Sequence, residues 1–292
     1  MSLGPRAVVV HRTSEYEELL ARHGTRGQAA FFLASHGRDI AEPAGRHHRA
    51  AQVRAAVAAA VPPGWRRARV ERADLDRFLF APEDVVVVVG QDGLVANAAK
   101  YLKDQPVIGI DTDPGRNPGV LVRHRGEDAA RLLRAAGAGR GAYDERTMVE
   151  AVTDDGQRLL ALNEIYLGHR GHQSARYRIG GEAQASSGIL VGTGTGATGW
   201  LRSLWQERGG TLPLPDPCLR RLLWFVREAW PSPVTGTTAS GGVIADGERL
   251  AVTVESERLV AFGDGMEADA LDLTWGQTVH LGCAERTLRL LV

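Results

Sequence analysis

A single aspartate directly follows a run of apolar residues in the first third of the chain. Residues 85–94 read VVVVVGQDGL, so that Asp92 lies between Gly90-Gln91 and Gly93. Glycines at the end of a strand let the backbone turn sharply and let a phosphate approach closely. A carboxylate beside them fits phosphoryl transfer, in which an acid binds a metal ion or accepts the proton of an attacking hydroxyl. An ordinary polar turn fits the same residues, and the short motif alone favours the turn.

Two adjacent polar residues, Asn163 and Glu164, interrupt a β-prone run later in the chain. Adjacent strand residues face opposite sides, so one explanation is a buried cap next to a solvent-exposed residue. The other is a pair of hydrogen-bonding groups that hold ribose hydroxyls or a base.

A third polar group lies within residues 186–201, SSGILVGTGTGATGWL. The pattern predicts a strand, a glycine-rich loop and a turn into a helix, with Thr193, Thr195 and Thr198 in the loop. Such hydroxyls and free amides suit ribose, amide or phosphate recognition. A structural turn explains the pattern equally well.

The residues before about 125 alternate between strand and helix patterns. Val85–Val89 is apolar on both faces, as expected of a central parallel strand, and a helix over 94–102 and a strand over 106–110 complete a βαβ unit. This predicts a Rossmann-like α/β domain over residues 1–125. The chain contains no G-x-x-x-x-G-K-[ST] motif, which excludes a P-loop kinase.

Beyond about residue 145, short β-prone runs recur between turn residues. The spacing predicts an antiparallel, β-rich domain, assigned here to residues 126–292. One segment inside it, Cys218 to Trp230, has a helical pattern between prolines.

Composition limits the classes of partner. Lys and Arg together number 35, as do Asp and Glu, so the formal net charge is zero and a nucleic-acid partner is not expected. No secretory signal and no apolar stretch of 18 residues is present, which predicts a cytoplasmic protein without a membrane partner. The two cysteines, Cys218 and Cys283, are distant in sequence and predict buried thiols rather than a metal site.

Taken in order, these segments resemble the NAD kinase family, part of the superfamily that includes the diacylglycerol kinases. The matching segments are the strand with the G-Q-D-G loop, the PVIGI strand at 106–110, Asn163-Glu164, the T-G-T-G-A-T loop at 193–198, and Asp264-Gly265. In motif detail the chain is most similar to the mitochondrial-type NAD kinases, through the DTDP run at 111–114 and Ser186-Ser187-Gly188.

The resemblance implies a kinase that transfers the γ-phosphoryl group of ATP or polyphosphate to the 2′-hydroxyl of NAD, with Mg²⁺ bound to the donor. It implies a Rossmann-like domain followed by a β-rich domain, usually in a homodimer or homotetramer. By position, Asp92 is the implied catalytic acid–base group. The implied binding residues are Gly90, Gln91, Gly93, Asn163, Glu164, Thr193, Thr195, Thr198 and Asp264.

Four positions depart from the family pattern. Gln91 replaces a glycine, Leu94 a threonine and Asp111 an asparagine, and Ala197 replaces a serine. These changes leave two alternatives open: a kinase of the same fold that acts on another alcohol, such as a nucleoside or a sugar, or a non-catalytic protein that binds NAD(P).

Overall fold

The computed structural model describes residues 4–116, 118–171 and 173–292. The chain forms two compact units. The first contains the residues up to Asp144 together with Arg289–Val292, and the second is Glu145–Leu288.

The first unit is built around a parallel sheet with the strand order β2-β1-β3-β4. Its elements are β1 (Arg6–His11), α1 (Glu15–His23), α2 (Arg26–Ser35), α3 (Ala41–Ala60), β2 (Arg66–Glu71), β3 (Asp84–Gly90), α4 (Asp92–Ala99), β4 (Val107–Asp111) and α5 (Ala129–Gly137). The β3 valines are buried on both faces of the sheet, which explains why the strand is an unbroken apolar run. Alternate valines of β3 pack against α3 and α5 in one apolar core.

The second unit contains antiparallel strands and one further helix. They are β5 (Tyr143–Thr153), β6 (Arg158–Ala161), β7 (Glu164–Gly168), β8 (Ala175–Ile179), β9 (Glu182–Ser186), β10 (Gly188–Gly192), α6 (Trp200–Glu207), β11 (Arg221–Arg227), β12 (Gly241–Ala245), β13 (Arg249–Val254), β14 (Arg258–Gly263), β15 (Met266–Thr274) and β16 (Thr278–Leu291). One sheet has the order β12-β11-β10-β7-β14-β15, and a second contains β16-β13-β8-β9. Apolar residues of both sheets form one core, and α6 packs on the other face of the first sheet.

Several sequence-based expectations change in the structure. The segment predicted to be helical over 218–230 contains β11, which pairs with β10 and β12 inside the sheet, so sheet pairing overrides its helical pattern. The first unit extends past residue 125, because apolar residues of α5 belong to the same core as α3. Cys218 is exposed, whereas Cys283 is buried as expected.

The segment after β4 lies tightly against that strand. An ideal Cβ placed on Gly109 would be 2.1 Å from the carbonyl oxygen of Leu121, so any larger residue forces the two backbones apart. The backbone of His124 hydrogen-bonds to Gly109 and Asp111 and holds the segment in place. This contact fixes the position of the amides that surround Asp92, described below.

We expect Gly109→Ala to lower the free energy of unfolding by about 1–3 kcal/mol, because the added methyl group overlaps the Leu121 carbonyl. Urea unfolding followed by circular dichroism measures the change. Gly27→Ala is the matched control: Gly27 is in α2 with no atom within 4 Å of the added methyl, and alanine should stabilise the helix slightly. Equal unfolding midpoints for Gly109→Ala and the wild type would contradict the prediction.

Candidate functional site

Asp92 is the first residue of α4, immediately after β3. Its Oδ1 accepts hydrogen bonds from the backbone N–H groups of Leu121 at 2.8 Å and Val122 at 2.9 Å. Its Oδ2 accepts one from the N–H of Val120 at 3.0 Å. The three bonds fix the orientation of the carboxylate, and Oδ2 retains room for a further donor.

The residues around Asp92 differ in what the fold requires of them. Gly93 is exposed, and an added Cβ would meet no atom within 4 Å, so the backbone there is open to approach. Gly90 lies against the buried side chain of Leu94, whose Cδ2 is 3.1 Å from an ideal Cβ on Gly90. Gln91 is exposed at the N-cap of α4, and its side chain makes no capping hydrogen bond within the part of the chain described.

Asp264 holds the start of β7 in a similar way. Its carboxylate accepts hydrogen bonds from the backbone N–H groups of Leu162 at 2.8 Å, Asn163 at 2.7 Å and Glu164 at 3.4 Å. The Asp264 N–H donates to the carbonyl of Glu164 at 3.1 Å. Asp264 has a φ of 54°, in the left-handed region that aspartate tolerates better than most residues. The carboxylate therefore binds the protein's own backbone and fixes the two polar residues before and within β7.

The glycine–threonine loop after β10 is tied to the same place. The Thr193 hydroxyl donates to the carbonyl of Leu162 at 2.6 Å and accepts from the N–H groups of Thr195 and Gly196 at 3.1 and 3.2 Å. Thr193 and Thr195 are both buried; the Thr193 hydroxyl holds the loop, whereas the Thr195 hydroxyl accepts from Arg146. Thr198 is exposed, and its hydroxyl donates to the Thr195 carbonyl at 2.9 Å.

Close packing brings this loop against Glu164. An ideal Cβ on Gly196 would be 2.3 Å from the carbonyl oxygen of Asn163 and 3.1 Å from Oε2 of Glu164, so only glycine fits there. Beneath the loop, the fully buried Arg146 donates from Nη1 to the Thr195 hydroxyl at 3.3 Å.

Burial and a neighbouring charge alter the chemistry of Glu164. Removal from water, followed by the charge of Asp264, raises the pKa of the Glu164 carboxyl to about 8. Glu164 is thus mainly protonated at neutral pH and can donate a hydrogen bond. Among the residues that the structure describes, neither the Asn163 nor the Glu164 side chain forms a hydrogen bond. Both are partly exposed, and both can face a ligand.

The predicted site residues thus fall into two sets, one in each unit. Asp92 and its glycines share the β3–α4 turn, and the remaining set shares one hydrogen-bonded cluster formed by Asp264, β7 and the threonine loop. Sequence reasoning missed residues 120–122, which act through backbone amides, and Arg146. A lone arginine that precedes a buried β-prone run was the available signal for Arg146.

No group of three or more His, Cys, Asp or Glu side chains in ranges 4–116, 118–171 and 173–292 is arranged to hold a metal ion. Within the same ranges, every helix is too short or too polar to cross a membrane.

Comparison with solved structures identifies the fold. The chain aligns with the crystal structure of yeast NADH kinase complexed with NADH, with a TM-score of 0.58, over 99% of this chain and 84% of that chain. The fold is similar to that of yeast NADH kinase. The sequences are 13% identical, so the likeness to yeast NADH kinase establishes the fold alone. It confirms the predicted α/β unit followed by a β-rich unit. No family model and no curated protein sequence matches the chain.

The raised pKa of Glu164 predicts a pH-dependent stability. A carboxyl whose pKa is about 8 in the folded state binds more protons than its unfolded counterpart, so its unfavourable contribution grows as pH rises from about 5 to 8. We expect Glu164→Gln to stabilise the protein increasingly over that interval, by on the order of 2–4 kcal/mol at pH 8.5. Urea unfolding at pH 5, 7 and 8.5 measures this. Glu257→Gln, at an exposed position, is the control. A stability difference that does not change with pH would contradict the pKa assignment.

We expect Asp264→Asn to lower the free energy of unfolding by about 2 kcal/mol. Asparagine tolerates the same left-handed backbone, so the change isolates the loss of a charged acceptor from the three amides of residues 162–164. Hydrogen exchange of those amides should accelerate in the variant. Asp246→Asn, at an exposed turn, should leave their exchange rates unchanged. An equal effect of both substitutions would argue against the clamp, the set of bonds from the amides of residues 162–164 to the Asp264 carboxylate.

Proposed function

We propose that the protein transfers the γ-phosphoryl group of ATP or polyphosphate to the 2′-hydroxyl of NAD and so produces NADP. The observation that carries the proposal is the Asp92 carboxylate, fixed after a buried strand with Oδ2 accepting one N–H. The fold shared with an NADH-bound kinase supports it, as does the order of the motifs along the chain.

In this proposal Oδ2 of Asp92 accepts the proton of the attacking 2′-hydroxyl. The amides of Val120, Leu121 and Val122 hold the carboxylate so that it does not have to reorganise during the reaction. Gly90 and Gly93 lie where the backbone must come close to a diphosphate, and the open space at Gly93 fits that role. Gln91, exposed between them, lies beside the ligand.

The cluster of the second unit would bind the nucleoside part of NAD. A protonated Glu164 can donate to a ribose oxygen or to a ring nitrogen, and the Asn163 amide can both donate and accept. Thr198 adds an exposed hydroxyl, whereas Thr193, Thr195 and Asp264 act through the loop and the backbone that they hold. Of the six binding residues that the family resemblance implies in this unit, only Asn163, Glu164 and Thr198 would therefore contact the ligand directly.

Mg²⁺ enters the proposal with the phosphoryl donor. At such sites Mg²⁺ keeps several waters and binds one or two carboxylates together with substrate phosphates, so a preformed group of three protein ligands is not required. Asp92 is the acid of this chain that would lie near the metal. Assembly into a homodimer or homotetramer and a cytoplasmic location remain predictions.

A second acceptor class follows from Leu94. Leu94 stands where the family pattern has a threonine, and its buried side chain packs over Gly90. The replacement removes a hydroxyl and changes the shape of the turn. A kinase for a different alcohol would accommodate such a change. Incubation with Mg-ATP and NAD, NADH, nucleosides or sugars, followed by detection of the phosphorylated product, distinguishes these acceptors. If no acceptor gains phosphate but NAD raises the melting temperature, the protein is a non-catalytic NAD-binding protein.

We expect Asp92→Asn to reduce kcat by about 10²–10⁴-fold, because the amide cannot accept the hydroxyl proton. The substitution also disturbs the three amide contacts, so activity must be compared at a temperature at which both proteins are folded. Asp104→Asn is the control in the same unit, since Asp104 is exposed and lies outside the motifs named above. An Asp92→Asn variant that binds NAD and keeps wild-type kcat would remove Asp92 from the mechanism.

A further inference from the structure

A separate cavity of about 220 Å³ opens on the second unit, on the side of the sheet where α6 packs. Its walls are aromatic. The Tyr166 and Trp200 rings are stacked with centroids 5.7 Å apart, and the Phe262 ring is 5.0 Å from Tyr166. Val260 and Ala270 complete the apolar lining. Flat apolar walls of this kind favour a planar ring.

Two arginines, Arg227 and Arg170, give the cavity lining positive charge. The guanidinium of Arg227 lies 5.2 Å from the centre of the Trp200 ring, and its Nε is buried with no hydrogen-bond partner among the residues described. Its ion pair with the exposed Glu228 is long, at 3.5 Å. Arg170 also lines the cavity, and its ion pair with Asp272 is 3.8 Å long and exposed. In both pairs the acid is exposed and the contact is long, so each pair holds its arginine weakly and the arginine can turn to an anion.

The phenol of Tyr166 is already committed. Its hydroxyl donates to the carbonyl of Ser187 at 2.8 Å, so Tyr166 contributes its ring to the lining and no free hydroxyl. Glu267 at the rim is exposed and supplies one negative charge against the two arginines. A buried, unsatisfied N–H beside an aromatic wall is unusual, because such donors normally find an acceptor.

We propose that this cavity binds a small aromatic carboxylate, with its ring against Tyr166, Trp200 and Phe262 and its carboxylate on Arg227. A planar carboxylate can form two parallel hydrogen bonds with a guanidinium. A neutral aromatic ring without an acid group cannot form them. Pockets for drug-sized ligands usually measure about 300–1,000 Å³, so a cavity of 220 Å³ suits one or two fused rings and is too small for a dinucleotide. The proposed ligand is therefore not the NAD of the proposed phosphoryl transfer.

The test uses the full chain and two probes with the same ring, 1-naphthoate and 1-naphthylmethanol. We expect isothermal titration calorimetry to show about tenfold tighter binding of the carboxylate, since the neutral alcohol forms no charge-assisted bond with Arg227. Arg227→Met should abolish this preference. Arg258→Met, at an exposed position outside the cavity lining, should retain it.

A second variant tests the cavity without removing charge. Ala270→Phe fills the apolar end and should weaken both probes at least tenfold, while the melting temperature shows whether the protein is folded. Equal affinities for the two probes, or unchanged naphthoate binding in both Arg227→Met and Ala270→Phe, would overturn the proposal. Competitive displacement of naphthoate by NAD would overturn it as well, because the cavity would then belong to the nucleotide site.

Discussion

The Asp264 carboxylate and the three amides of residues 162–164 are the contact on which the polar cluster of the second unit depends. Three successive N–H groups before and within β7 face one acceptor, which removes donors that would otherwise be left unpaired at the strand end. The same contact fixes where Asn163 and Glu164 leave the backbone. The threonine loop then closes on the Leu162 and Asn163 carbonyls, so its position also follows from this clamp.

The first unit repeats this arrangement with different residues. Asp92 accepts from the amides of residues 120–122, and the close approach of Gly109 to Leu121 holds those amides in place. In both units a short acidic side chain therefore positions a loop beside the end of a strand. Such bonds to a charged acceptor are stronger than neutral ones. In each unit, the loop that carries the candidate residues is therefore held by bonds within the protein itself.

The sequence allowed the fold class and the main strands to be predicted, because the β3 valines and the short alternating runs have the periods of buried and half-buried strands. It failed at 218–230, where apolar residues at helical spacing form the central strand β11. The order of the motifs pointed to the candidate residues, but it did not predict which groups their side chains bind. Thr193 and Asp264 bind the protein's own backbone and Thr195 binds the Arg146 side chain. A motif does not distinguish a hydroxyl that holds the fold from one that holds a ligand. Backbone donors such as those at 120–122 have no sequence signature at all.

The clamp also determines the charge of the cluster. Asp264 accepts from three N–H donors that stabilise a negative charge. Glu164, whose own backbone N–H is one of those donors, has a side chain largely removed from water with no comparable set of donors. Removal from water disfavours the charged form of the Glu164 carboxyl, and the nearby charge of Asp264 disfavours it further. The raised pKa of Glu164, about 8, is the consequence. The clamp therefore does more than set geometry: it places a charge beside Glu164 that helps to keep this carboxyl neutral and able to donate a hydrogen bond.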